Sequence, residues 1–89
     1  MSWVYILQSI NYGTYYVGST VEIEQRLRKH NNGQVKSTQS KKPWRLIYKE
    51  EYNSLGEARK REKHIKSWKE RKAIERLIGK LTAPSSSLV

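Results

Sequence analysis

Trp3-Val4-Tyr5-Ile6-Leu7-Gln8-Ser9-Ile10-Asn11-Tyr12-Gly13-Thr14-Tyr15-Tyr16-Val17-Gly18 is the stretch that decides the fold. Trp3 to Leu7 are β-branched, aromatic or aliphatic and read as a strand, and Asn11-Tyr12-Gly13 supply turn chemistry. Thr14 to Gly18 form a second strand, near enough to pair with the first as a hairpin. Beyond Gly18 the spacing becomes helical. Ser19 or Thr20 can cap a helix, with Glu22 three residues after Ser19 completing a capping box. Ile23, Leu27 and His30 follow at helical spacing, and Asn31-Asn32-Gly33 stops the helix with residues tolerant of positive φ. Residues 34–43 are polar and basic and end at Pro43, so they read as a loop, and Trp44-Arg45-Leu46-Ile47-Tyr48 reads as a third strand. Ser54 with Glu57 and Ser67 with Glu70 make two further capping boxes, which predict helices over about 55–66 and 68–80. Ala58, Glu62 and Ile65 share one face of the first; Ala73, Ile74, Leu77, Ile78 and Leu81 form an apolar stripe on the second. The order β-β-α-β-α-α predicts an α+β fold, a three-stranded antiparallel sheet flanked by helices.

A chain of 89 residues holds one small domain, expected over 1–81, with the uncharged residues 82–89 as a disordered tail. Only 36% of residues are hydrophobic, so a large buried substrate chamber is not expected. The absence of cysteine excludes a disulfide framework, a thiol nucleophile and any Cys-ligated metal. Two histidines cannot build a three-histidine cage, and with eight glutamates and no aspartate a carboxylate-rich two-metal site is not expected. Charge is the strongest compositional signal. Eighteen Lys and Arg give a net charge of +10, the electrostatic footprint of a domain that meets a polyanion. The basic density lies in two blocks, 26–49 and 59–80, on either side of the acidic stretch 50–58. No apolar run is long enough to span a bilayer and no leader pattern opens the chain, so it reads as a cytoplasmic protein with no membrane partner.

Several residues stand out chemically. Tyr5 and Tyr16 lie one in each hairpin strand; they are either cross-strand packing or two phenols aimed into a shared cleft. A phenol with a reference pKa of about 10 serves as a base only with help from positive charge or a metal-bound water. Arg26 and His30, one helical turn apart, read either as a solvated face or as a guanidinium for phosphate oxygens beside an imidazole that moves a proton. Glu62 lies on the stripe expected to face the sheet, where an ionised carboxylate needs a partner. That partner is Arg59, Lys63 or Lys66, or else Glu62 holds a divalent cation, for which one carboxylate suffices when phosphate completes the shell. Arg28 and Lys29, with Lys36, Thr38, Lys41 and Lys42 in the loop, offer donors suited to phosphate contact. Trp44, Trp68, Tyr12, Tyr15, Tyr48 and Tyr52 either stack on bases or fill the interior of a chain that has no phenylalanine.

Val4-Tyr5-Ile6, Tyr16-Val17-Gly18-Ser19, Arg26 and His30 on the next helix and Glu62 on a later one together resemble the GIY-YIG nuclease superfamily. The similarity runs over about residues 3–75 and is greatest to the small bacterial single-domain members. The resemblance implies a metal-dependent endonuclease that hydrolyses DNA phosphodiester bonds with Mg²⁺ or Mn²⁺, directed by structure rather than sequence, in DNA repair or recombination. It implies that Tyr5 activates water, Tyr16 bonds to the scissile phosphate or the water, and Gly18 keeps the cleft open. Arg26 would stabilise the phosphoryl charge, His30 assist proton transfer and Glu62 hold the metal, all five side chains converging on one sheet face. DNA, branched or single-stranded, is the expected partner ahead of RNA, and the chain is expected to act as a monomer. Trp3 and Val4 stand where the family name has Gly and Ile, and the last asparagine is Asn53, whereas many active members carry one later in the domain. The alternative is a DNA- or RNA-binding module that keeps the fold and cleaves nothing.

Overall fold

A computed structural model describes residues 1–68 and 70–87 of the chain. The elements are β1 (Ser2–Ser9), β2 (Tyr15–Thr20), α1 (Ile23–Asn31), a single 3-10 turn at Gln39–Lys41, β3 (Trp44–Tyr52), α2 (Leu55–Lys66) and α3 (Arg71–Ser87). The sheet is antiparallel with strand order β2-β1-β3, so the first strand is the central one. This is the α+β architecture and the element order that the sequence predicts.

The two faces of β1 explain its unbroken apolar run. Val4, Ile6 and Val17 point to one side, where they pack with Tyr48 and with Ala58 and Ile65 of α2; Ile74, Leu77 and Ile78 of α3 close over that core. Tyr5 and Leu7 point to the other side with Trp44, under Ile23 and Leu27 of α1. A strand covered on both faces cannot alternate apolar with polar. Val4, Tyr5, Ile6 and Leu7 are accordingly all buried. Burial of each aliphatic side chain contributes roughly 1.5–3 kcal/mol, and β1 concentrates that contribution at the centre of the sheet.

The hairpin turn is closed by Gly13, with φ +73, whose N–H reaches Ser9 O at 2.9 Å. Helix α1 ends where the sequence predicts, at the C-cap Asn32 followed by Gly33 with φ +78. Ser54 caps α2 by accepting from Glu57 N at 3.3 Å, also as predicted.

Three local expectations are corrected. Ser19 caps nothing: β2 runs on through Thr20, Ser19 pairs across the ladder with Val4, and the N-cap of α1 is Glu22, with no side-chain cap bond. Ser67 does not open α3; it closes α2 as the C-cap, its hydroxyl donating to His64 O at 2.6 Å. The third strand is longer than its apolar stretch, because β1 needs partners along its whole length and Glu51 and Tyr52 pair with Trp3 and Ser2. The charge in this added segment is compensated locally, since Glu50 accepts from Arg61, Tyr48 and Tyr52. Helix α3 also takes in residues 82–87, which the composition reads as tail. The last two residues of that stretch, 88 and 89, lie outside the described residues, as does the side chain of Leu81.

Candidate active site

Tyr5 sits on the central strand directly opposite Gly18 of β2, and this pairing makes the site. A Cβ on Gly18 would lie 2.5 Å from the Tyr5 hydroxyl oxygen and 2.6 Å from its Cζ, so only glycine leaves the phenol its place. Tyr16 pairs with Leu7 and therefore shares the Tyr5 face, with ring centroids 6.4 Å apart. Helix α1 lies over this face. Its apolar residues Ile23 and Leu27 seat it on the sheet and turn Arg26 and His30 toward the two tyrosines.

His30 is completely buried. Its Nε2 is 3.0 Å from the Tyr5 Oη, its Nδ1 is 2.8 Å from Thr38 Oγ1, and its ring meets Tyr16 edge-on at 5.0 Å. Arg26 Nε donates to the same Tyr5 Oη at 3.4 Å. The electrostatics follow from this crowding. Burial pushes the Tyr5 phenol above its ordinary value, while the Arg26 hydrogen bond pulls it back. Burial, reinforced by the Arg26 charge, lowers His30 to about 4, so the imidazole is neutral at pH 7. Arg26 is held more firmly protonated by its bond to Tyr5.

Glu62 belongs to the opposite layer. It lies on α2, whose Ala58 and Ile65 pack on the far face of the sheet, and it approaches the tyrosines around the exposed edge of β2. Ser19 Oγ donates to its Oε1 at 2.5 Å, and Lys66 Nζ lies 2.6 Å from its Oε2 and 5.5 Å over the Tyr16 ring. The carboxylate charge adds a small upward push on the Tyr5 phenol. Four of the five expected residues thus share one sheet face, and the fifth is linked to them at the edge through Lys66; the expectation of a single face is corrected. The physical reason is that β2 is an edge strand, so a helix on either face can reach past it. Between α1 and α2 a cleft of about 280 Å³ is lined by Ser19, Thr20, Val21, Arg26, Leu55 and Arg59.

Among the described residues no group of three or more His, Cys, Asp or Glu side chains could hold a metal. Glu62 still fits a hard divalent cation, because its carboxylate is partly exposed and bonds Ser19 of the cleft wall, and such ions take one or two carboxylates with water and phosphate. Lys66 supplies the positive charge at that carboxylate, and its side chain is 47% exposed.

The nucleic-acid contacts expected from the sequence divide. Arg28, Lys29, Lys36, Lys41 and Lys42 are exposed. Thr38 is not; it is completely buried against His30, and its reading as a phosphate contact is corrected. Trp44 and Tyr48 are core residues rather than stacking platforms, whereas Tyr12 is 63% exposed. Ser19, Arg59 and Lys66 were not among the expected site residues. The signal for two of them was present, since Arg59 and Lys66 lie three before and four after Glu62 on one helix face.

The model of the GIY-YIG catalytic domain matches residues 1–75 of the chain. A UPF0213 protein of Staphylococcus saprophyticus is 38% identical over 74 residues, covering 82% of this chain and 89% of the relative. A UPF0213 protein of Staphylococcus aureus is 39% identical over 77 residues, covering 85% and 92%. The solution NMR structure of the UPF0213 protein BH0048 from Bacillus halodurans is similar with a TM-score of 0.56 and 32% identity, covering 89% of this chain and 84% of that one.

Proposed function

Because the chain belongs to the GIY-YIG family, an endonuclease family whose substrates are nucleic acids and whose nucleases generally use a divalent metal, we propose that it is a Mg²⁺- or Mn²⁺-dependent endonuclease of DNA. The observation that carries this reading is the Tyr5 hydroxyl held between His30 Nε2 and Arg26 Nε, with the Glu62 carboxylate bonded to Ser19 on the neighbouring strand edge.

The Tyr5 oxygen donates its proton to His30 and accepts from Arg26, which leaves one lone pair for a water molecule. As the water gives a proton to Tyr5 Oη, the phenol's own proton passes to His30 Nε2, and the hydroxide attacks phosphorus in line. A histidine lowered to about 4 holds no proton of its own at neutral pH, so its acceptor is free when the water arrives. Arg26, permanently charged and already in the cleft, meets the negative charge that develops on the phosphoryl oxygens. Glu62 would hold the cation, and the chemistry supplied there is neutralisation of charge on the phosphate and the departing oxygen. Arg59, on the opposite wall of the cleft, is placed to hold a flanking phosphate.

Branched or single-stranded DNA is the substrate this site suits best. The cleft is open and basic, and its residues bind phosphate rather than base edges, so selection rests on shape and strandedness. Exposed Arg28, Lys29, Lys36, Lys41 and Lys42 extend the positive surface beyond the cleft, and since one chain carries every residue of the proposed site, a monomer suffices for this reading. Among the described residues no helix is long and apolar enough to cross a membrane.

The test is nicking of supercoiled plasmid and branched oligonucleotides with Mg²⁺, Mn²⁺ or EDTA. Arg26→Ala and Glu62→Ala are each expected to lose ~10²–10³ in rate while DNA affinity stays within a few fold, and Arg28→Ala to cut like the wild type. Equal losses in Arg26→Ala and Arg28→Ala would reduce α1 to a basic patch. Binding without cleavage under any metal would make the chain a DNA- or RNA-binding module on a nuclease fold.

A further inference from the structure

We infer that Thr38 is a positioning residue: its hydroxyl fixes His30 as the Nδ1–H tautomer and so turns a bare Nε2 toward the Tyr5 hydroxyl. Its significance for cleavage rests on the nuclease reading above; the tautomer itself does not.

The assignment follows from counting protons in a closed pocket. Tyr5 is 2% exposed, and its Oη has two partners among the described residues, Arg26 Nε and His30 Nε2. A guanidinium can only donate. If His30 Nε2 also carried its proton toward Tyr5, the phenol would accept twice and its own O–H would have no acceptor among the described residues, which before a water enters costs about 1–3 kcal/mol. The phenol proton therefore goes to Nε2, and the imidazole proton must sit on Nδ1. Thr38 Oγ1, 2.8 Å away, accepts it and donates in turn to Val35 O at 3.3 Å. The bonds then run in one direction, Arg26 Nε–H to Tyr5, Tyr5 O–H to His30 Nε2, His30 Nδ1–H to Thr38 and Thr38 O–H to Val35 O.

The fold holds Thr38 for this task from both sides. Its N–H reaches Val35 O at 3.1 Å, and its carbonyl accepts from Lys41 N at 3.2 Å and from the Trp44 indole at 2.9 Å. Trp44 is tied to the residue after His30, since its backbone N and O bond the Asn31 side chain at 2.6 and 3.0 Å. A loop residue this completely buried, anchored through the end of the same helix that carries His30, is a built support rather than a passing contact.

The experiment is ¹⁵N NMR of the histidine rings in the wild type, Thr38→Val and Thr38→Ser, alongside steady-state cleavage. The chain has two histidines, and His64→Gln, an exposed site, assigns the His30 signals. Wild type is expected to show a protonated Nδ1 and bare Nε2 at His30. In Thr38→Val, which keeps side-chain shape, either tautomer leaves one buried donor without an acceptor, Nδ1–H against the valine or Tyr5 O–H against Nε2–H, so the preference for Nδ1–H is expected to be lost and both tautomers to be populated. Cleavage in that variant should fall in kcat in proportion to the fraction of His30 that has lost its bare Nε2, with KM unchanged, and Thr38→Ser should restore both tautomer and rate. A wild-type His30 protonated on Nε2, or a Thr38→Val protein with the wild-type tautomer and rate, overturns the inference. If the tautomer shifts as stated while no protein cuts any substrate, the positioning role stands and the nuclease reading falls.

Discussion

Replacing Gly18 with alanine separates backbone preference from the demand of the site. The Gly18 backbone is not among the positive-φ glycines, so alanine adopts it freely, and the loss of glycine's unfolded-state freedom would by itself stabilise the strand by about 0.5–1 kcal/mol. The new methyl, however, would stand 2.5 Å from Tyr5 Oη and 2.6 Å from Cζ, about 1 Å inside an ordinary carbon contact. The ring is buried and held at its hydroxyl by His30 and Arg26, so it cannot retreat without losing those bonds. Overpacking of this kind costs about 1–3 kcal/mol, and the net expectation is a protein less stable by about 1–2 kcal/mol. Urea unfolding of Gly18→Ala, Tyr5→Leu and the double variant measures it. With leucine at position 5 the two closest atoms are gone and only Tyr16 Cε2, 3.1 Å away, still presses on the methyl, so the alanine should cost far less, a coupling of about 1–3 kcal/mol with an unchanged m-value. Cleavage by Gly18→Ala should fall about 10²-fold, since a displacement near 1 Å removes the phenol from its partners. The same stability change in both backgrounds, or wild-type cleavage by Gly18→Ala, would refute the claim that the glycine exists to seat Tyr5.

Acid should destabilise the protein in a defined window. The unfolded His30 takes up a proton near 6.5 and the folded one only near 4, so stability falls as pH is lowered between these values, by at most about 3 kcal/mol, and His30→Gln should flatten that slope. Glu50, whose carboxylate is lowered by Arg61, Tyr48 and Tyr52 against the opposing effect of burial, adds a second loss below 4.5; chemical denaturation at a series of pH values reads both. Asn31→Ala removes the bridge to the Trp44 backbone and should cost about 2–3 kcal/mol by leaving two buried main-chain groups unpaired; a loss below about 0.5 kcal/mol in urea titration would show that the bridge contributes little. DNA binding followed by fluorescence anisotropy should weaken with salt along a log–log slope near −4 to −5, as expected for about five phosphates on duplex DNA, and a slope near zero would point to another partner.

The local elements were legible in the sequence because their signals are local. The apolar run Val4–Leu7, the turn at Gly13, the stop at Gly33 and the cap at Ser54 each act within a few residues, and the structure keeps them all. The spacing of Arg26 and His30 placed both on one helix face for the same reason. What the tertiary structure decided is which partner each polar group meets. Ser19 looks like a cap by its neighbours, yet its hydroxyl serves Glu62, 43 positions away, because the ladder extends β2 through it and α2 returns along that edge. Thr38 looks like a surface donor in a basic loop, yet the Trp44 indole folds that loop inward and gives its hydroxyl to His30. Glu50 and Glu51 look like the end of a strand, yet the full length of β1 requires them to pair. In each case the local pattern allows more than one partner, and only the return of a distant segment, with its demand that every buried donor find an acceptor, leaves one.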